Sequence, residues 1–446
     1  MVRILNSSQS NEKLSSFEVV IHIGAPKAGT SAIQKFCLLN RKKLLESGFY
    51  YPKHGLDENG ISGGHTDIGG ALLNGDFNTA ENIFRTYLKK AKSKNKVLLI
   101  SAESLYLAHE EVFELVKDLR VLIISYVRDP IEALLSNYNQ GVKRHYRSIS
   151  LDVFLKRQLN NINDVVSGLS VLKWKEQFKN FLLLPFDRKI FPGGGIESHF
   201  LATLGISSSE LSLFDKPTGD VNSSYCLAAM ESKRLCNLIL DSSSGSLAAR
   251  LDLIFQKYSD LSSFKRFSPA ELMGVDVYEL YVDAFYESNQ ILLDSLSCNA
   301  TVEFLKPIQK TRGVLKVNCV FSQLFDVMSF LKAEDHDIFS QLQKLYHLSH
   351  RPMTHPDWIT LCHLLDLPIN HAKDFTFRLG PREMSILTDD ASKPFDALMV
   401  LASALERNGN FSQARQILKR CLLMRPKAKR VLAALERLSD DQPTHI

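Results

Sequence analysis

The sequence predicts an α/β fold class: a central parallel sheet flanked by helices, followed by an all-α C-terminal region. Three observations carry this expectation. Between residues 17 and about 205, short runs rich in β-branched residues alternate with helical patterns. Such alternation implies parallel strands joined by right-handed crossovers. The first run leads into a glycine-bounded loop and then a helix. From about residue 222 onward the periodicity is helical.

Candidate strands are 18–23, 96–101, 120–127 and 181–184. The first contains Val19, Val20, Ile21 and Ile23 and feeds Gly24-Ala25-Pro26-Lys27-Ala28-Gly29-Thr30-Ser31. Ile33, Phe36, Cys37 and Leu44 then continue at helical spacing. A strand, a glycine loop and a helix in that order can cradle a phosphate, because loop N–H groups and the positive helix end both favour an anion. Gly24 and Gly29 have the spacing of a Walker A loop, yet Thr30 stands where its lysine should follow the second glycine. The lysine is inside the loop, at Lys27. A dinucleotide fingerprint lacks its third glycine.

The third strand candidate ends at Val127 and is followed by Arg128-Asp129-Pro130-Ile131-Glu132. Asp129 suits an N-cap, Pro130 the first helical position and Glu132 the third, a capping-box arrangement. Ile131, Leu134, Leu135, Tyr138 and Val142 recur on one helical face. Arg128 therefore sits at a strand's carboxyl end, with Ser136 about two turns into the next helix.

Pro26-Lys27-x-Gly29-Thr30-Ser31 resembles the 5′-phosphosulfate loop of sulfotransferases that use 3′-phosphoadenosine 5′-phosphosulfate (PAPS). Arg128 and Ser136 resemble the arginine and serine, eight residues apart, that hold the 3′-phosphate in that superfamily. The segments 138–143, 191–194 and 286–293 are similar to bacterial, glycan-type members. The resemblance covers most of residues 17–205 and implies a P-loop-like, three-layer domain. It also implies that Pro26, Lys27, Ala28, Gly29, Thr30, Ser31, Arg128 and Ser136 bind the co-substrate, with Lys27 catalytic and no metal needed.

Sulfuryl transfer to a hydroxyl also needs a general base. His65, in the glycine-rich stretch Ser62-Gly63-Gly64-His65, is the first candidate, since imidazole titrates near working pH. Glu103, just after the second strand candidate, is another; His54 is a weaker third.

The chain has 446 residues and calls for more than one domain. The expected division is a PAPS-binding domain over 17–310, a helical region of unnamed type over 311–390, and a tetratricopeptide-like hairpin with a capping helix over 391–440. Leu398, Leu401, Ala402, Leu405, Gly409, Ala414, Leu418 and Pro426 match the tetratricopeptide pattern. Seven scattered cysteines without a CxxC pair signal neither zinc nor a disulfide framework. A net charge of +5 suits an anionic ligand without arguing for nucleic acid. The basic run Lys143-Arg144-His145-Tyr146-Arg147 reads as a solvated helix end, or else as a site for an acidic acceptor. No apolar run is long enough to cross a membrane, and the polar start does not read as a signal peptide, so a cytoplasmic enzyme is expected.

The leading functional expectation is sulfation of a carbohydrate hydroxyl. Two alternatives stay open. One is a protein-tyrosine sulfotransferase whose C-terminal helices hold a polypeptide partner. The other is a non-catalytic nucleotide-binding scaffold or a P-loop kinase.

Overall fold

The structure is a computed structural model that describes residues 16–56, 62–187, 189–191, 195–216, 224–261, 267–297, 305, 314–349, 355–368, 379–389, 391–407 and 411–439. The chain is α/β and divides into two compact units. The first comprises Met1–His145, Ile149–Cys226 and Ser262–Asn318; the second comprises Tyr146–Ser148, Leu227–Leu261 and Cys319–Ile446.

The first unit is built on five parallel strands: β1 (Val19–Ile23), β2 (Phe49–Tyr50), β3 (Val97–Ala102), β4 (Val121–Val127) and β5 (Phe181–Pro185). Their spatial order is β2-β3-β1-β4-β5. Val19 of β1 lies opposite Leu98 of β3 and Val121 of β4, so the carboxyl ends of the three central strands sit side by side. Every residue of β1 and β4 is buried. Central strands covered on both faces are near-continuous apolar runs, which is why the sequence betrayed them. The four expected strands are found with boundaries shifted by at most one residue. The unexpected β2 has two residues, too few to carry a pattern.

The chain leaves β1 toward the β2–β3 side and later crosses to the β4–β5 side. The order reverses between β1 and β4, and sheets of this kind bind ligands outside the carboxyl ends of the strands at such a point. Six helices of this unit concern the site: α1 (Thr30–Leu39), α2 (Thr66–Leu73), α3 (Phe77–Ser93), α4 (His109–Val116), α5 (Pro130–Arg144) and α6 (Ile196–Thr203). In α5, Ile131, Leu134, Tyr138 and Val142 form the buried stripe that their spacing required. Residues 192–194, part of one family-like segment, lie outside the described residues.

In the second unit, α7 (Leu227–Cys236) packs on α9 (Phe321–Glu334) and α10 (Pro356–Leu364), and α8 (Gly245–Leu261) packs on α9. Residues 227–261 thus share their contacts with later helices, although the sequence grouped them with the sheet-bearing segment. Of two buried cations on α7, Lys233 bonds within residues 227–261 and Arg234 makes the attachment to a later helix. Lys233 is fully buried, 3.3 Å from Asp252 of α8, and donates to Asn237 at 3.1 Å. The buried Arg234 donates to Asp357 of α10 at 2.7 Å and pairs with Glu231. Buried charges need such partners, and losing one typically costs about 3–5 kcal/mol.

The end of the chain folds as α11 (Pro394–Arg407), α12 (Phe411–Met424) and α13 (Lys429–Ser439). Ala402, Ala414, Leu418, Cys421, Val431, Ala434 and Leu438 form their core, with Leu398 and Leu405 packed against it. Gly409, expected to mark the turn, lies outside the described residues.

Candidate active site

The loop after β1 turns sharply onto α1. A Cβ on Gly24 would come within 2.0 Å of the Thr30 hydroxyl. Gly29 has φ +81°, and a Cβ there would press on Ile196 and Phe186 at 2.6 and 2.7 Å. Both positions therefore require glycine. Lys27 also adopts positive φ, +66°. A non-glycine residue in that region stores local strain, which the rest of the fold must hold in place. Pro26 is exposed, Lys27, Gly29 and Ser31 are half-buried, and Ala28 and Thr30 are buried. No side chain caps α1. The N–H groups of Ala32 and Ile33 bond the Gly29 carbonyl at 3.1 and 3.2 Å.

Arg128 reaches this loop from the end of β4. Its Nη1 donates to the Lys27 carbonyl at 3.1 Å. Its guanidinium lies over the Phe186 ring, 5.2 Å from the centroid. Its Nε and Nη2 face the Glu132 carboxylate at 3.2 and 3.1 Å. Asp129 caps α5 by accepting from the Glu132 N–H at 2.9 Å, with Pro130 as the first helical residue. The capping box expected from the sequence is only half formed, because the Glu132 carboxylate pairs with Arg128 instead. Ser136 is half-buried on α5.

Glu103 is half-buried in a short turn immediately after β3. Burial raises its carboxyl above the ordinary range, and the positive charge of Lys27 partly offsets the rise. The structure thus brings Lys27, Arg128 and Glu103 to one end of the sheet.

His65 is placed differently. It is fully buried, and the Ser101 N–H donates to its Nδ1 at 3.1 Å. Its Nε2 is 3.2 Å from the Pro52 carbonyl. An Nδ1 that accepts must be unprotonated, so Nε2 carries the hydrogen and donates to Pro52. Burial lowers its pKa to about 4. The preceding Gly64, at φ +70°, bridges to Ala102 and leaves no room for a Cβ beside the Ser101 carbonyl. His65 therefore extends the sheet edge where β2 stops at Tyr50. His54 is half-buried and bonds the Tyr51 hydroxyl at 3.0 Å; burial lowers its pKa too.

The basic run after α5 is not simply solvated. Lys143 is buried, with its ammonium 4.4 Å from the centre of the Tyr225 ring, and the Arg147 carbonyl accepts from Asn237.

Two residues near the site escaped the sequence reading. Phe186, at the end of β5, supports both Gly29 and Arg128. Gln34 is buried in α1 with its side-chain nitrogen unbonded, close against Gly64. Gln34 stands one helical turn after Thr30, so their shared face was readable from spacing alone. Among the described residues, no group of three or more His, Cys, Asp or Glu side chains could hold a metal. No helix among them is long and apolar enough to cross a membrane.

No family model, curated protein or solved structure matches this chain.

Proposed function

We propose that this protein transfers a sulfuryl group from PAPS to a hydroxyl of an acceptor, and that the acceptor is a carbohydrate. The observation that carries the reading is the junction of Arg128 with the backbone of Lys27. It sets a lysine-bearing, uncapped glycine loop and an arginine from the neighbouring strand against each other. A nucleotide with phosphates on both its 5′ and 3′ sides needs two such separate cationic centres. The motif resemblance assigns the 5′ side to Lys27 and Gly29–Ser31, and the 3′ side to Arg128 and Ser136. The choice of a carbohydrate rests on the likeness to glycan-type members.

The chemistry follows from these groups. The acceptor oxygen forms a bond to sulfur as the bond from sulfur to the 5′-phosphate oxygen breaks. Lys27 neutralises charge gathering on the departing phosphate, the kind of electrostatic assistance that dominates loose group transfers. The acceptor's proton goes to Glu103. Partial burial and a raised pKa make Glu103 a better base than an exposed carboxylate. His65 is a poor candidate for that role, since both its ring nitrogens are committed to backbone groups. It instead ties its own loop to β3 and to Pro52.

Incubation with PAPS labelled in its sulfate, with a panel of neutral and uronate-bearing polysaccharides, tests the reading. The expected result is label in a polysaccharide with the wild type and none with Glu103→Gln. Label in tyrosine-containing peptides alone would replace the acceptor; no transfer to either class would overturn the reading.

A further inference from the structure

We propose that the C-terminal three-helix segment carries a separate docking cleft for an acidic peptide, at the corner where α12 meets α13. An open depression of about 720 Å³ lies there. Arg425, Lys427, Lys429 and Arg430 line it with Phe395, and Asp396 is the one acid on its wall.

Charge is concentrated at this end of the chain. Residues 394–439 contain nine Lys and Arg against three Asp and Glu, while the whole chain is only +5. The segment therefore holds all of the net positive charge. Two of its arginines are already committed: Arg437 pairs with Glu406 at 2.7 Å, and Arg407 with Glu383 at 2.5 Å. Arg425 lies over the Phe395 ring, 4.1 Å from its centre. Lys427, Lys429 and Arg430 are exposed and have no carboxylate within ion-pair distance among the described residues.

Two of these cations, Lys429 and Arg430, occupy the first turn of α13, which contains no acid. A helix start favours negative charge, so cations gathered there repel both the helix dipole and one another. An anion in the cleft relieves both repulsions. The lining favours carboxylates over sugars, because it has no Ser, Thr, Asn or Gln to match hydroxyl groups. It favours a peptide over a nucleic acid, because its one aromatic ring is covered by Arg425 and cannot stack a base. Pro426 and Ala428 supply apolar surface between the cations for the aliphatic residues of an extended acidic segment. This cleft does not depend on the transferase reading.

The test is fluorescence anisotropy on the full chain with a short labelled peptide of alternating glutamate and leucine. The wild type is expected to bind it saturably and to ignore the glutamine analogue. Lys427→Glu with Arg430→Glu should weaken binding about tenfold or more, as reversal of interfacial charges does. Lys89→Glu with Lys90→Glu on α3, an equal charge change elsewhere, should leave it unchanged. If the reversed variant loses its thermal unfolding transition, Lys427→Gln with Arg430→Gln replaces it. Absence of saturable binding, equal weakening in both double variants, or displacement of the peptide by a lower concentration of single-stranded oligonucleotide would overturn the proposal.

Discussion

Two helices begin at the carboxyl ends of neighbouring strands, and they begin in opposite ways. After β4, Asp129 closes the start of α5 with a side-chain cap and Pro130 fills the first position. After β1, α1 starts behind a left-handed Gly29 with no side-chain cap. One end is finished by its own sequence, whereas the other is left open in a strained loop. The end of β3 offers a third case: there His65 and Gly64 seal the sheet edge through backbone bonds. The difference is that α5 is closed by its own side chains, whereas in the proposed function the start of α1 is completed by the nucleotide's 5′-phosphate.

The sharpest way to break this comparison is to remove the cation of the open end. Lys27→Ala should lower sulfate transfer by about a thousandfold with an unchanged thermal unfolding midpoint. Comparable turnover would move catalysis away from the loop.

Acid should act instead on two buried histidines, one at the sealed edge of β3 and one inside β1. His65 is held neutral, with its pKa depressed to about 4, and the buried His22 of β1 to about 3, against 6.5 when unfolded. The unfolded chain binds protons that the folded chain refuses. Their contribution is therefore complete above pH 6.5 and declines as pH falls toward 4. Each histidine should remove about 2 kcal/mol between pH 7.5 and pH 5. Urea unfolding at the two pH values measures the loss, and His65→Gln should reduce it. A pH-independent midpoint would contradict the sealed geometry.

Gly29→Ala strains the open loop and drives a methyl into Phe186 and Ile196. It should cost about 2 kcal/mol in denaturant unfolding and weaken nucleotide binding with it. Asp129→Ala removes the cap of α5 and should cost only about 1 kcal/mol. Nucleotide affinity should hardly change. A large affinity loss in the cap variant, or none in the glycine variant, would erase the distinction between the two ends.

Much of this was legible in the sequence. Buried parallel strands announce themselves as apolar runs, and Asp129-Pro130 announces a helix start. The misplaced lysine between Gly24 and Gly29 is plain in the sequence alone. What escaped depends on contacts distant in sequence. Phe186 follows a strand like any other aromatic, and only the fold puts it beneath Arg128. Glu132 satisfies a local capping pattern, yet the nearer guanidinium claims its carboxylate. His65 sits in a glycine-rich stretch that reads as an exposed loop; the backbone of β3 draws the ring inside. Lys143 reads as a solvated cation, and Tyr225 covers it.

Calorimetric titration with adenosine 3′,5′-bisphosphate and with ATP tests the central claim most directly. The bisphosphate should bind at least about a hundredfold tighter than ATP, consistent with a charge-assisted second phosphate site worth about 3 kcal/mol, and Arg128→Ala should abolish the difference. Equal affinities, or a preference for ATP, would contradict the assignment of the open loop and Arg128 to a nucleotide bearing a 3′-phosphate.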